Sequence, residues 1–202
     1  MQALPLQRSE RVDLDLSIVV PVYRAEDCLD ALVSTIDREL GDSHLRFEII
    51  LVNDGSPDRS WEVIDRLCLE YPAVVGINLR RNFGQDNAIM TGLRASSGAA
   101  VVIMDDDLQH HPRDIPALLA RLDHRTDVVY ANFRSKHHAA WKRFGSKING
   151  KLAEWVIDKP PSIYLSPFKA IRREVVELIR TNESPEPYVD GLLFQVTSRI
   201  AQ

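Results

Sequence analysis

The stretch VVIMDDDLQHHP, residues 101–112, decides the fold of this chain. Four apolar residues run directly into three aspartates, a pattern typical of a buried strand that presents polar groups at its carboxyl end. Carboxylates packed this closely repel one another, so the arrangement costs stability unless a positive charge binds beside them. The stretch therefore predicts a buried strand followed by a cation site.

Similar short apolar runs recur along the first two thirds of the chain, alternating with segments of helical apolar spacing. We predict strands at residues 16–23, 47–56, 73–79, 99–104 and 127–133. This alternation is typical of an α/β fold with a mainly parallel sheet covered by helices on both faces. Ligands of such sheets bind at the carboxyl ends of the strands. Polar clusters stand at those ends, at residues 23–26, 53–56, 80–82, 105–107 and 134.

The last third of the chain has a different pattern. Residues 140–156 are predicted to form a helix, on which Arg143, Lys147 and Lys151 make a basic stripe at four-residue spacing. The stripe fits an anion-binding surface and an ordinary solvated helix face equally well. An irregular connection and a helix over residues 172–181 follow, and the final SRIAQ is typical of a strand cut short. We therefore expect a chain truncated at its C-terminus.

Composition excludes several classes of protein. The formal net charge of -4 argues against a nucleic-acid binder, and no apolar run approaches the roughly 20 residues of a membrane span. The first 15 residues are too polar for a signal peptide and are predicted to be a disordered lead-in. Cys28 and Cys68 form no metal-binding pair and are expected to be buried thiols in a reducing compartment. A cytoplasmic location follows from these features.

The three aspartates suggest a metal site. Asp105 and Asp107 are two residues apart, so an extended chain would point both to the same side, where they could share one divalent cation. Gln109 would add a neutral oxygen on that side. Hard oxygen ligands of this kind suit Mg²⁺ or Mn²⁺ carrying a substrate diphosphate. The alternative is an acidic loop that caps the following helix.

The turn NDGS, residues 53–56, is open to two interpretations. Asp54 could accept hydrogen bonds from a nucleobase or ribose, or the segment could simply be a good turn before a helix. Neither a G-x-G-x-x-G fingerprint nor a P-loop is present, so the common dinucleotide and triphosphate sites are not supported.

Four segments, SIVVPVYRAED, LVNDGSPD, RNFGQDNAIMTGLRASSG and VIMDDDLQHHP, follow one another in the chain. Together they resemble the family 2 glycosyltransferases of the GT-A fold. The greatest similarity is to dolichol-phosphate mannose synthase-like enzymes and bacterial polyprenyl-phosphate glycosyltransferases. The resemblance is strong over residues 16–133 and looser beyond. It implies one catalytic domain over residues 16–202, with a nucleotide-sugar and metal half at 16–133 and an acceptor half at 134–202.

The resemblance also implies roles for individual residues. It places the nucleotide at Pro21, Tyr23, Glu26, Asp54 and Asp106. It assigns the catalytic metal to Asp105, Asp107 and Gln109. It assigns the acceptor phosphate to Arg134, Arg143 and Ser146. The chain departs from the family pattern at Asn53, where an acidic residue is common. It departs again where many relatives have an aspartate before an F-K or F-R pair.

The implied reaction is an inverting, metal-dependent transfer of a sugar from a UDP-, GDP- or dTDP-sugar to a polyprenyl phosphate. The enzyme would then work at the cytoplasmic face of a membrane. Two alternatives stay open: transfer to a glycan hydroxyl, and a non-catalytic module that binds nucleotide sugars. A hydroxyl acceptor needs a general base, for which Asp190 is the candidate, although Asp190 could equally cap its helix.

Overall fold

The computed structural model describes residues 14–132 and 163–202, which form one sheet flanked by helices. The strands are β1 (Leu16–Val22), β2 (Phe47–Asn53), β3 (Val74–Asn78), β4 (Ala100–Ile103), β5 (Val128–Tyr130), β6 (Lys169–Arg172) and β7 (Ile200–Ala201). The helices are α1 (Leu29–Gly41), α2 (Ser60–Glu70), α3 (Gln85–Ala95), α4 (Ile115–Leu119), α5 (Arg173–Ile179) and α6 (Val189–Val196). A 3₁₀ turn at Pro112–Asp114 leads into α4.

The strand order across the sheet is β3-β2-β1-β4-β6-β5-β7. Strands β3, β2, β1 and β4 are parallel, whereas β6 runs antiparallel to both of its neighbours, β4 and β5. Strand β7 pairs in parallel with β5. The predicted α/β class with a mainly parallel sheet is confirmed, and β1 stands at the centre of its parallel part.

Apolar side chains on the two faces of the sheet build two cores. On one face Ile18 and Val20 pack against α1, α2 and α4, whose apolar stripes are buried. On the other face Val19 and Ile50 pack against α3, α5 and α6. Because successive strand residues point to opposite faces, an unbroken apolar strand such as β1 supplies both cores. The central strands are therefore fixed from both sides.

Strand β6 differs from the prediction, because the sequence pattern places its residues in an irregular connection and at the start of a helix. Residues 169–172 read KAIR, and charged residues at both ends conceal a strand of only four residues. The predicted fifth strand also shortens from 127–133 to Val128–Tyr130. A strand of this kind is recognised by its long-range pairing with β4 and β5, which no local pattern records.

The N-terminal lead-in is shorter than predicted. The lead-in was predicted to reach residue 15, but the Asp15 carboxylate pairs with Arg46 and its backbone N–H donates to the Arg46 carbonyl at 2.8 Å. The predicted helix at residues 140–156 lies outside the described residues. Within the described residues, no helix is long and apolar enough to cross a membrane.

Candidate active site

A cleft of about 320 Å³ lies at the carboxyl ends of β1, β2 and β4. The loop between β3 and α3 contributes to its lining. Its lining residues are Pro21, Val22, Tyr23, Asp54, Asn82, Gly84, Gln85, Asp105, Asp106 and Asp107. The parallel strands thus bring together polar groups from four separate segments, as this type of sheet predicts.

Asp54 is buried at the end of β2 and holds the loop before α3. One carboxylate oxygen accepts from the Phe83 backbone N–H at 2.7 Å, and the other accepts from the Gly84 N–H at 2.9 Å. Its own N–H donates to the Val22 carbonyl at 2.9 Å, so Asp54 is anchored to β1 as well. Charge-assisted bonds of this kind are stronger than neutral ones. Asp54 therefore shapes one wall of the cleft.

The turn after Asp54 packs directly against the same loop. Gly55 has φ 61°, and a Cβ atom built there would lie 2.4 Å from the carbonyl carbon of Arg81. Only glycine fits, because it tolerates the left-handed conformation and has no side chain to separate the two backbones. The β2–α2 turn and the β3–α3 loop consequently form one packed unit.

The three aspartates occupy a turn, and the expected extended geometry is wrong here. Strand β4 ends at Ile103 and the chain bends from residue 106 to 110, with Leu108 at φ 57°. The turn, rather than strand alternation, directs all three aspartates toward the cleft. A left-handed conformation at leucine costs about 1–2 kcal/mol, so the surrounding contacts must maintain this turn.

Each aspartate accepts a hydrogen bond from a different segment. Asp105 accepts from the Gln85 side-chain amide at 2.8 Å, and Asp106 accepts from the Tyr23 backbone N–H at 3.3 Å. Asp107, the most exposed of the three, accepts from the Gln109 backbone N–H at 3.0 Å. The first two bonds tie the motif to α3 and β1, whereas the third is internal to the turn.

Burial and mutual repulsion raise the pKa values of Asp105 and Asp106. Burial raises the pKa of Asp105 above its ordinary value, and the negative charge of Asp107 raises it further. Burial likewise raises the pKa of Asp106, to which the charges of Asp105 and Asp107 add. Both effects disfavour the ionised carboxylates, and a bound cation would reverse them. The electrostatics of the cleft therefore fit a cation.

The donor set limits what kind of metal site is possible. Within residues 14–132 and 163–202, no group of three or more His, Cys, Asp or Glu side chains is arranged to hold a metal ion. Asp105 and Asp107 offer two carboxylates in one cleft. That set fits Mg²⁺ or Mn²⁺, which commonly take one or two protein carboxylates and complete their coordination with water and substrate phosphates. It does not fit a closed all-protein site.

A second polar cluster lies between β5, β6 and α6. Asp190, in the first turn of α6, forms an ion pair with buried Lys169. The Tyr130 hydroxyl donates to the same Asp190 oxygen at 2.8 Å. The N-cap residue of α6 is Tyr188, and Asp190 lies inside the first turn, so Asp190 is not the capping residue. Neither Lys169 nor Tyr130 is expected from the sequence, because Lys169 falls in the predicted irregular connection and Tyr130 in the middle of the predicted fifth strand.

The structure brings most of the predicted donor residues together. Six of them line the cleft, namely Pro21, Tyr23, Asp54, Asp105, Asp106 and Asp107. Glu26 and Gln109 are not among the lining residues, and the Glu26 carboxylate instead pairs with Arg59. Asn82 and Gln85 also line the cleft, although no individual role was predicted for either. Asn82 belongs to the polar cluster expected after β3, and Gln85 is the first residue of α3. Arg134, Arg143 and Ser146 lie outside the described residues.

The sequence of the chain matches known transferases. The family model described as "Glycosyl transferase family 2" matches residues 17–180. The undecaprenyl-phosphate 4-deoxy-4-formamido-L-arabinose transferase of Shewanella sediminis is 34% identical over 173 residues, which cover 85% of this chain and 52% of the relative. The Pseudomonas aeruginosa PAO1 transferase of the same name is 35% identical over 167 residues, or 82% and 49%. The chain thus spans about half the length of these curated relatives.

Solved structures give the same fold. Glucosyl-3-phosphoglycerate synthase from Mycobacterium tuberculosis, in complex with Mn²⁺ and UDP-glucose, superposes with a TM-score of 0.62 at 21% identity, covering 82% of this chain and 58% of that one. A mannosyltransferase from Pyrobaculum calidifontis, in complex with GDP-mannose and Mn²⁺, gives a TM-score of 0.57 at 21% identity, covering 85% and 50%. At this level of identity the likeness establishes the GT-A fold alone.

Proposed function

The chain belongs to glycosyl transferase family 2, and from that premise we propose that it transfers a sugar from a nucleoside-diphosphate sugar to a polyprenyl phosphate. One observation carries the proposal: Asp54 and the Asp105–Asp107 turn meet around one cleft at the carboxyl ends of the parallel strands. The names of the curated relatives, which specify undecaprenyl phosphate, support the choice of acceptor.

The residues of the cleft have distinct tasks in this proposal. Pro21, Tyr23 and Asp54 bind the nucleoside, since they lie at the ends of β1 and β2 beside the ordered β3–α3 loop. Asp105 and Asp107 hold Mg²⁺ or Mn²⁺, and Gln85 orients Asp105 through its amide. The metal, when bound, supplies positive charge that stabilises the leaving nucleoside diphosphate. Gln109 remains a predicted additional oxygen ligand.

The acceptor is proposed to be a phosphate because the chain then needs no general base. A phosphate monoester with a second pKa of about 6 is largely ionised at neutral pH and attacks without losing a proton to the protein. Asp190, the candidate base for a hydroxyl acceptor, is engaged with Lys169 and Tyr130. Arg134, Arg143 and Ser146 are proposed to bind the acceptor phosphate. Because a polyprenyl phosphate is a lipid, we place the reaction at the cytoplasmic face of a membrane.

Calorimetric titration with UDP, GDP and dTDP, each with and without Mn²⁺, tests the donor site. We expect one nucleotide to bind in the presence of Mn²⁺ and to lose most of its affinity without it. Asp105→Asn should abolish the Mn²⁺ effect and slow sugar transfer by about 100-fold or more, because several kcal/mol of charge stabilisation are lost. Asp37→Asn, on the exposed surface of α1, is the matched control and should behave as wild type.

Transfer assays with undecaprenyl phosphate and with an oligosaccharide acceptor separate the remaining possibilities. Transfer to the lipid, with none to the oligosaccharide, supports the proposal. Transfer to the sugar hydroxyl alone, abolished in Asp190→Asn, would establish the glycan acceptor. Nucleotide-sugar binding without transfer to either acceptor would identify a non-catalytic binding module.

A further inference from the structure

Lys169 is a charged residue in a position where charge is costly. It opens β6, pairs across the sheet with Ile103 of β4 and Tyr130 of β5, and is 4% exposed. A buried ammonium group is tolerated only when it is paired and hydrogen-bonded. Its neighbours on the sheet are the strand that leads to the aspartate turn and the strand that ends at Tyr130. Lys169 therefore lies at the boundary between the donor and acceptor halves.

The partners of Lys169 come from two other elements. Its Nζ donates to an Asp190 oxygen on α6 and lies 5.1 Å from the centroid of the Tyr130 ring. The Tyr130 hydroxyl donates to the same oxygen at 2.8 Å. Burial raises the pKa of Tyr130 far above its ordinary value, and the charge of Asp190 raises it further, so the hydroxyl stays a neutral donor. Three elements thus meet at one carboxylate oxygen.

The same ammonium group also acts electrostatically on the donor side. Its positive charge acts on both Asp105 and Asp86, opposing the rise that burial causes in the pKa of each. Asp86, in the first turn of α3, accepts from the Val189 backbone N–H at 3.4 Å, next to Asp190. Lys169 therefore contacts Asp190 directly and acts electrostatically on Asp86 and Asp105, which belong to two other segments.

We propose that Lys169 is a positioning residue of the transfer reaction. It ties Asp190 and the start of α6, in the acceptor half, to the strand end that carries Asp105 in the donor half. The contact sets the separation between the two substrates, so its loss slows transfer without weakening nucleotide binding. This inference rests on the proposed function and adds to it a residue that touches neither substrate.

Removing Lys169 alone would leave the half-buried Asp190 carboxylate without its counter-ion, which could prevent folding. The decisive variant therefore combines Lys169→Met, Asp190→Leu and Tyr130→Phe, which removes every polar atom of the cluster together. Replacing a whole buried polar cluster with apolar groups of similar shape is often tolerated. Two single variants complete the set: Lys169→Arg keeps the cation, and Asp190→Asn keeps the side-chain shape.

The experiment compares kcat, the KM for undecaprenyl phosphate and nucleotide affinity in Mn²⁺ across these variants of the full chain. We expect the triple variant and Asp190→Asn to lower kcat by about 100-fold, as small misplacements of reacting groups do. Nucleotide affinity should stay within about threefold of wild type, which separates loss of transition-state stabilisation from loss of ground-state binding. Lys169→Arg keeps the positive charge, so its kcat should lie between those of the wild type and the triple variant.

The control is Arg199→Met, which breaks the ion pair between Arg199 and buried Asp127 at the opposite end of β5. It should lower stability without changing kcat. Full activity in a folded triple variant or in Asp190→Asn would overturn the positioning role while leaving the proposed function intact. A wild-type chain that binds nucleotide but transfers sugar to neither acceptor would overturn the proposed function, and this inference with it.

Discussion

Asp54 combines two tasks at the scale of a single residue. It lines the cleft, and it also uses both carboxylate oxygens to bind consecutive backbone N–H groups of Phe83 and Gly84. These N–H groups immediately precede α3, where backbone donors lack intrahelical acceptors. The Gly84 N–H also lies 3.1 Å from the Asn82 side-chain oxygen, so Asp54 is the acceptor that the two groups share. A carboxylate can still accept further hydrogen bonds through its remaining lone pairs. Binding of the nucleoside and ordering of the loop are therefore compatible.

Asp54→Asn tests this double role. An amide accepts only one of the two N–H groups and turns its own donors toward the other, so we expect the free energy of unfolding to fall by about 2 kcal/mol. Nucleotide affinity should fall as well, because the loop loses its order. Urea denaturation measures the first effect and calorimetry the second. Exposed Asp27 provides the control through Asp27→Asn, and equal stability of the two variants would contradict the assignment.

At the scale of elements, the β2–α2 turn and the β3–α3 loop act as one unit because Gly55 lies against Arg81 and Asn82. The same loop supplies Asn82 and Gly84 to the cleft, and Gln85 follows directly at the start of α3. Any separation of the two segments would displace those side chains as well as the backbone. The contact therefore links the local geometry of one glycine to the shape of the whole donor wall.

Gly55→Ala should destabilise the chain and weaken nucleotide binding together. The added methyl would meet the Arg81 carbonyl carbon at 2.4 Å, at a φ that alanine disfavours, so we expect a loss of about 2 kcal/mol. Thermal unfolding and calorimetry measure the two effects. Gly41→Ala is a matched control, because nothing lies within 4 Å of a Cβ atom there. If both variants kept wild-type stability and binding, the packed unit would be refuted.

The sequence could predict the donor half because its signals are local. The apolar run of β4 and the three aspartates that follow stand next to each other in the chain, and so do β2 and Asp54. It could not predict that Lys169 opens a strand, since the pairing of β6 with Ile103 and Tyr130 spans 66 and 39 residues (169 − 103 and 169 − 130). Nor could the spacing of residues in the sequence predict that Glu26 forms an ion pair with Arg59 instead of lining the cleft, because that ion pair joins two segments that are distant in the chain.

At the scale of the whole molecule, the buried carboxyls make stability depend on pH. Burial raises the pKa of Asp86 above 3.8, and the nearby charge of Asp190 adds to the rise. A group whose folded pKa exceeds its unfolded value binds protons more strongly in the folded state, so its contribution to stability grows as pH falls toward 3.8. Exposed carboxyls with lowered pKa, such as Asp15, act in the opposite sense and only below 3.8.

Asp86→Asn isolates one of these groups. The variant carries no charge at neutral pH, so we expect it to be more stable than wild type at pH 7. The difference in the free energy of unfolding should shrink as the pH falls toward 3.8, where wild-type Asp86 becomes protonated. Urea denaturation of both chains at several pH values, in the absence of divalent cations, measures the difference. An advantage that grew as the pH fell would show that ionised Asp86 stabilises the fold, and would reverse the assignment.

The reversed strand β6 has a consequence for synthesis of the chain. Strand β5 pairs only with β6 and β7 among the described strands, and both follow it by more than 30 residues (169 − 130 = 39). A nascent chain that has left the ribosome only as far as residue 132 therefore carries the four parallel strands with β5 still unpaired. The open flank of β4 persists until residues 169–172 emerge, and during that interval it can be captured by a chaperone or by another chain.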